Sequence, residues 1–371
     1  MAERRTEILT PRARRLLPLA MALLLALTVR RLWCTPTALP VLEFSGATMG
    51  TTWVLKVAAR DLPLEDRAAV RAAVEERLER VNALMSTWDP DSEVSRLNRH
   101  ASTEPFRVSP ETLEVLRVAQ EVSGRSGGAF DVTTGPLVAA WGFGAGARLP
   151  GAEPDALELA DLRERVGFEL VEIDATAGTA SKGHPGVECD LSAIAKGYAV
   201  DAVTLALEAL DYGDFLIEVG GELRARGERP AGGPWRVAIE DPDAADRVPH
   251  RVISLADRAM ATSGDYRSFY RQGGERVSHV IDPRTGRPVR HALASVTVVH
   301  ESATRADAWA TALAVLGPEE GPALAATEGL AAYFIVRTAE GEFRRVTTPA
   351  FEVVVGAEPQ PPGVALPSER Y

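Results

Sequence analysis

Residues 296–317 read VTVVHESATRADAWATALAVLG and set a strand directly against a helix. Val296 to Val299 is a β-branched run of strand length, and Ala303 to Leu316 carries the helical period. On that helix Asp307 and Thr311 stand four apart and share a face. A carboxylate and a hydroxyl one turn apart offer two hard oxygens to one point, a pattern suited to Mg²⁺. Taken alone, the pair reads more simply as a solvated aspartate and a threonine bonded back to its own helix. The flanking Ala306, Ala308, Ala310 and Ala312 allow the helix to approach closely whatever it faces.

Outward from this stretch the same mixture continues. Thr52 to Val57 alternates as a strand. Leu64 to Met85 is an amphipathic helix with Val70, Val74, Leu78 and Val81 on one face. Ser109, Pro110 and Glu111 start a second helix, which Gly124 ends. A third helix spans Ile194 to Leu210. Further strands are expected at Phe215–Val219, Trp235–Ile239, Val252–Leu255, Val277–Ile281, Leu330–Val336 and Phe351–Val355. Strands interspersed with long helices, without a βαβ rhythm, give an α+β class. Gly142 to Gly167 reads as a surface insertion with no assigned role.

The chain has 371 residues, 46% hydrophobic and 25% charged, which is ordinary for a globular protein. A net charge of -11 without a basic patch argues against a nucleic-acid partner. No internal repeat is present. The N-terminus differs: Arg4, Arg5, Arg12, Arg14 and Arg15 precede the apolar run LLPLAMALLLALTV. That is the pattern of a secretory signal, and the run is short for a membrane span. Residues 1–35 are therefore expected to direct export as a signal peptide or N-terminal anchor, with 36–43 as a linker. Cys34 stands where a lipidated cysteine would, but Trp33 before it is not the small residue such a site needs. Residues 44–356 form the domain, and 357–371 a Pro-rich tail. The other cysteine, Cys189, reads as a packed small hydrophobe.

Two more constellations carry chemistry. In DLSAIAKGYAVD, Asp190 and Ser192 are placed to cap a helix that presents Lys196, a combination that attracts phosphate. Gly197 within that helix costs about 1 kcal/mol relative to alanine, so a close approach by backbone or ligand is expected there. In SHVIDPRTGRPV, the Asp282-Pro283 turn places His279 at a strand end, as a base or polarising group. The pieces GATMGTTW and GGAFDVTTGPLVAAWGFG match neither a dinucleotide fingerprint nor a Walker loop. GATMGTTW is read as lying before the first strand. Met49, Trp88, Phe130 and Trp141 near these glycines suit a planar ring system.

In order, the chain contains GATMGTT, MSTW with DSEVSRLN, AFDVTTGPLVAAWGFG, DLSAIAKGYAVD, VGGEL, ATSGDYR, SHVIDPRTGRP and ADAWATAL. This series, from about Phe44 to Gly317, resembles the ApbE family of FAD:protein FMN transferases. The resemblance implies an ApbE-like (T-fold-like) α+β fold of mixed sheets with packed helices. It implies contacts to FAD, as substrate, from Met49, Ser86, Thr87, Trp88, Ala129, Phe130, Asp131, Asp190, Lys196, His279 and Ile281. It further implies a Mg²⁺ site from the Asp307 and Thr311 side chains with the carbonyls of Ala193 and Ala310, and a catalytic role for His279. The implied reaction cleaves FAD, attaches FMN through a phosphoester to a threonine or serine of a target flavoprotein, and releases AMP. The implied acceptor is a subunit of a membrane redox complex or another exported flavoprotein, and the chain is expected at the periplasmic face of the bacterial inner membrane, anchored or soluble. An FAD pyrophosphatase using water, or a non-catalytic exported FAD-binding protein, would carry the same site residues.

Overall fold

The computed structural model describes residues 39–59, 63–149, 153–243, 248–265, 269–272 and 275–356. The expected export segment, Cys34 and the Pro-rich tail lie outside them. Eight strands form one sheet: β1 (Val41–Thr48), β2 (Thr51–Ala58), β3 (Phe215–Val219), β4 (Glu222–Arg226), β5 (Ala259–Gly264), β6 (Leu293–His300), β7 (Ala331–Arg337) and β8 (Phe343–Thr347). Their order in space is their order in sequence, and every neighbouring pair is antiparallel. The sheet is thus a meander, and every other element except the C-terminal helix Pro349–Val355 is an excursion between consecutive strands.

Between β2 and β3 lie three main helices: α1 (Leu64–Met85), α2 (Pro110–Arg125) and α3 (Ala195–Ala209). Between β6 and β7 lies α4 (Ala303–Thr327). These four cover one face. Trp53, Leu55 and Val57 of β2, together with Ile217 and Val219 of β3, point into them and meet Val70, Val74, Leu78 and Val81 of α1. In β6 seven consecutive residues, Leu293–Val299, are buried, as a central strand covered on both faces demands. The other face packs on a separate hairpin of strands Trp235–Glu240 and Pro249–Leu255, inserted between β4 and β5.

Local chemistry explains most boundaries. Ser109 caps α2 by accepting from the Thr112 N–H, with Pro110 at the first position, and Gly124 lies one residue inside the end. Ser302 caps α4 in the same manner. The expected stop near Leu316 is a kink instead: Gly317 adopts φ 76° and ψ -165°, Pro318 follows, and helix resumes to Thr327. Asp190 and Ser192 do not cap α3. Its N-cap is Ile194, with no side-chain bond, and Asp190 holds the preceding turn by accepting from the Ser192 N–H.

Four expectations are corrected. Strand β1 begins at Val41, inside the assigned linker, because Leu42 and Phe44 pair with Val57 and Leu55. Consequently GATMGTTW does not precede the first strand. Gly46 to Thr48 closes β1, and Met49-Gly50, both with positive φ, make the two-residue turn into β2. Pro349–Val355 is a helix rather than a strand; Pro349 favours a helix start, and a short apolar run carries no decisive period. The segment Val277–Ile281 is split. Glu275–Ser278 pairs with Phe269–Gln272, and Ile281-Asp282 pairs with Arg287-Pro288. Within the Gly142–Gly167 stretch, Ala156–Arg163 is a helix capped by Asp155. Among the described residues, no helix is long and apolar enough to cross a membrane.

Candidate functional site

Helices α3 and α4 cross at Gly197. A Cβ there would lie 2.3 Å from the Ala303 carbonyl oxygen and 2.8 Å from Asp307 Cβ, so only glycine permits the approach. The expected close approach is this crossing. The Gly197 N–H donates to Asp307 Oδ2 at 2.9 Å. Asp201, one turn further along α3, accepts from the backbone of Ala303 and Thr304 and from the hydroxyls of Ser302 and Thr304. It therefore caps α4 from a neighbouring helix and fixes Asp307 relative to Lys196.

Asp307 is 2% exposed. Lys196 Nζ lies 3.8 Å from Asp307 Oδ1 and 2.7 Å from Glu222 Oε2, making an acid–lysine–acid cluster. Burial pushes Asp307 above the ordinary carboxylate range, against the Lys196 charge and the Gly197 N–H. Burial likewise pushes Glu222 up to about 7, again opposed by Lys196. For Lys196, burial acts downward, but Asp307 and Glu222 outweigh it and hold the ammonium above its usual range. The lysine thus stays charged beside two buried acids. Thr311 Oγ1 lies 3.2 Å from Ser263 Oγ of β5.

This cluster lines a cavity of about 800 Å³. Of the residues implied above, Ala129, Phe130, Asp131, Asp190, Ala193, Lys196, His279, Ile281, Asp307 and Thr311 are brought together in it. Thr87 and Trp88 line a second cleft of about 420 Å³, which borders the first through Val138 and Asp190. There the Trp88 side chain is 72% exposed. Met49, Ser86 and Ala310 line neither; Met49 turns the β1–β2 hairpin, and Ala310 is buried in the helical core. Asp131 is raised by burial, opposed by two 2.7 Å hydrogen bonds from Thr133.

The donors facing the cavity near Asp307 are a carboxylate, a hydroxyl and the Ala193 residue, with no sulfur or imidazole beside them. Among the described residues no group of three or more His, Cys, Asp or Glu could hold a metal. A set this poor in protein charge fits a hard cation that takes its remaining ligands from water and substrate phosphate, as Mg²⁺ does. His279 follows the strand Glu275–Ser278, as expected, and is half-buried. Its ring meets the edge of Phe143 at 6.2 Å, and Phe143 stacks on Tyr270 at 5.4 Å. Trp141 anchors the same region by donating from Nε1 to the Gly286 carbonyl at 2.8 Å. Together with Leu137, Leu159, Leu162, Val277 and Ile281 these form a small core apart from the sheet. The unassigned insertion therefore supports the segment that carries His279.

One residue of the acid–lysine–acid cluster, Glu222, was not singled out by sequence reasoning. Glu222 sits in the VGGEL segment, whose paired glycines turn β3 into β4 with φ of 63° and 111°. A polar residue straight after such a turn was the available signal. Thr262 and Ser263 lie in the ATSGDYR segment of the ordered series and do line the cavity wall, although strand β5, which carries them, was not predicted.

A meander sheet under helices, with a lysine and oxygen donors at one cavity, suits a protein that handles a phosphorylated planar ligand. The chain belongs to the ApbE family, whose signature matches residues 49–334. It is 42% identical over 310 residues to the FAD:protein FMN transferase of Vibrio cholerae serotype O1, covering 84% of this chain and 91% of that one. The solved flavin transferase ApbE from Vibrio cholerae superposes with TM-score 0.77 at 41% identity, covering 85% of this chain and all of the other. The apo flavinyl transferase ApbE of Pseudomonas stutzeri gives TM-score 0.78 at 38% identity, covering 86% and 98%.

Proposed function

We propose that this chain is an exported, Mg²⁺-dependent transferase that moves FMN from FAD onto a threonine or serine hydroxyl of a partner flavoprotein. The observation that carries the reading is one cavity bordered by Lys196, Asp307, Thr311, Ala129–Asp131 and His279. Export rests on the basic, then apolar, N-terminus. The periplasmic face of the inner membrane is where such a chain would act.

Asp307 and Thr311, with the carbonyl of Ala193, would hold the cation, which would neutralise pyrophosphate charge. Lys196, steadied by Glu222, binds phosphate oxygens as a point charge. The acceptor hydroxyl oxygen forms a bond to the phosphorus nearest riboflavin. The bond from that phosphorus to the bridging oxygen breaks, and AMP leaves with the electron pair. His279 takes the hydroxyl proton. Phosphoryl transfer needs mainly positioning and charge, so the lack of a nucleophile–base triad is no objection.

The test incubates purified protein with FAD, Mg²⁺ and a redox-complex domain in its unflavinylated form. Covalent flavin fluorescence on the domain, lost in Asp307→Ala, supports transfer. Release of FMN and AMP with the domain unlabelled would make the chain a pyrophosphatase. Tight FAD binding without any product would make it a binding protein.

A further inference from the structure

The cavity is lined from both faces of the main sheet. Lys196, Glu222 and Asp307 approach from the helical side. Val54, Lys56 and Leu216 also line it, and they point the other way. Alternation makes this plain, since Trp53, Leu55 and Ile217 beside them face the helices. A cavity touching both faces of one sheet must pass around a strand end. That end is the Gly220-Gly221 turn between β3 and β4. Strand β4 pairs with β5 only at Arg224 and Leu223, opposite Ala259 and Met260, while β5 runs on to Gly264. Beyond the turn, β5 has no β4 partner, and the two sides communicate.

The lobe on the far side has a distinctive wall. Arg236, Val237 and Ala238 are consecutive in one strand, yet all three line the cavity. Side chains of consecutive strand residues point to opposite faces, so the cavity meets this strand along its edge. Among the described residues, Trp235–Glu240 pairs only with Pro249–Leu255, which leaves its other edge without a strand. Such an edge presents alternating N–H and C=O groups, the complement of an extended main chain.

We infer that this far lobe is the acceptor subsite: an extended segment of the partner polypeptide lies along the Trp235–Glu240 edge and delivers its hydroxyl over the Gly220-Gly221 turn. The inference rests on the transferase reading above. A group transfer requires attacking and leaving oxygens on opposite sides of phosphorus. The two lobes supply that arrangement, with the phosphate-binding groups on the helical side and the acceptor on the other. The open backbone edge selects a polypeptide rather than a second ring system.

Arg236 and Ala238 are exposed, so Arg236→Glu and Ala238→Trp test the lobe without disturbing the core. Two quantities are measured for each: FAD affinity by flavin fluorescence, and labelling of an unflavinylated redox-complex domain at varied concentration. The expected result is a rise of about tenfold or more in acceptor KM, with FAD Kd held within about twofold. Equal weakening of FAD binding would assign the lobe to the nucleotide and overturn the inference. Unchanged acceptor KM in both variants would overturn it as well. Failure of the unsubstituted chain to label the domain while binding FAD would instead sink the transferase reading itself.

Discussion

The Gly197 N–H donates to Asp307 Oδ2 at 2.9 Å, and this bond fixes the position of the candidate metal ligand. It exists because α3 and α4 cross with no side chain between them. Substitution of Gly197 by alanine puts a methyl 2.3 Å from the Ala303 carbonyl, inside contact distance of rigid backbone. The helices must separate, at an expected cost of about 1–3 kcal/mol from overpacking. Asp307 then moves off its donor. Gly197→Ala is expected to lower the melting temperature and to reduce transferase activity further than lost fold accounts for. Thermal unfolding and initial rates, compared at a temperature where the variant is folded, separate the two effects.

Glu222 holds Lys196 at 2.7 Å, and Asp307 lies 3.8 Å from the same ammonium. With Glu222→Gln, one anion is lost and the ammonium is drawn toward Asp307, where it competes with a cation. The Mg²⁺ concentration for half-maximal activity should rise by about tenfold, equivalent to about 1.4 kcal/mol. FAD affinity measured without metal should change far less. An unaltered Mg²⁺ requirement would show that Lys196 and the metal do not share Asp307.

Much of this was legible in the sequence, and the gaps have physical causes. The period of α1, the Ser109-Pro110 start of α2 and the alternation of β2 were readable because each is a local property. Gly197 was flagged as an unusual helical glycine, and its explanation is a neighbour 106 residues away in sequence, Ala303. No local rule could name that neighbour. The role of Asp201 was invisible for the same reason: it caps a helix other than its own. Strand β5 was missed because AMATSG is small and polar at its end, its register being set by β6 rather than by propensity. Glu222 escaped because its burial, and so its pKa, depends on Lys196 arriving from α3.

Phe143 stacks on Tyr270 and presents its ring to His279. It stands in the loop after the short helix Gly135–Ala140, at the end of the AFDVTTGPLVAAWGFG segment. Removing the ring in Phe143→Ala takes away one wall against which the imidazole is set. If His279 takes the acceptor proton, kcat should fall by about tenfold or more, part of the 10²–10⁴ ascribed to general base catalysis. FAD affinity should stay within about twofold, because the phosphate groups are held elsewhere. Phe143→Tyr, which keeps the ring, should restore most of kcat. A uniform loss in both variants that tracks thermal stability would reduce Phe143 to a packing residue.

Burial pushes the Cys189 thiol up to about 12, with the negative charge of Asp131 adding to the effect. At pH 8 only roughly one molecule in 10⁴ is then a thiolate, against a sizeable fraction for an ordinary cysteine. The folded chain should leave Cys189 unmodified by iodoacetamide at pH 8, as peptide mass spectrometry would read. Unfolding in guanidinium should expose it to full alkylation. The sign of the pH effect on stability follows. Below about pH 9 the thiol is protonated in both states and costs nothing. Between about 9 and 12 the unfolded chain ionises while the folded one does not, so stability falls as pH rises across that window. Cys189→Ala removes the titration, and its stability should decline less steeply over the same range. Rapid alkylation of the native chain at pH 8 would mean that the segment before α3 opens readily, and with it the wall of the cavity at Asp190.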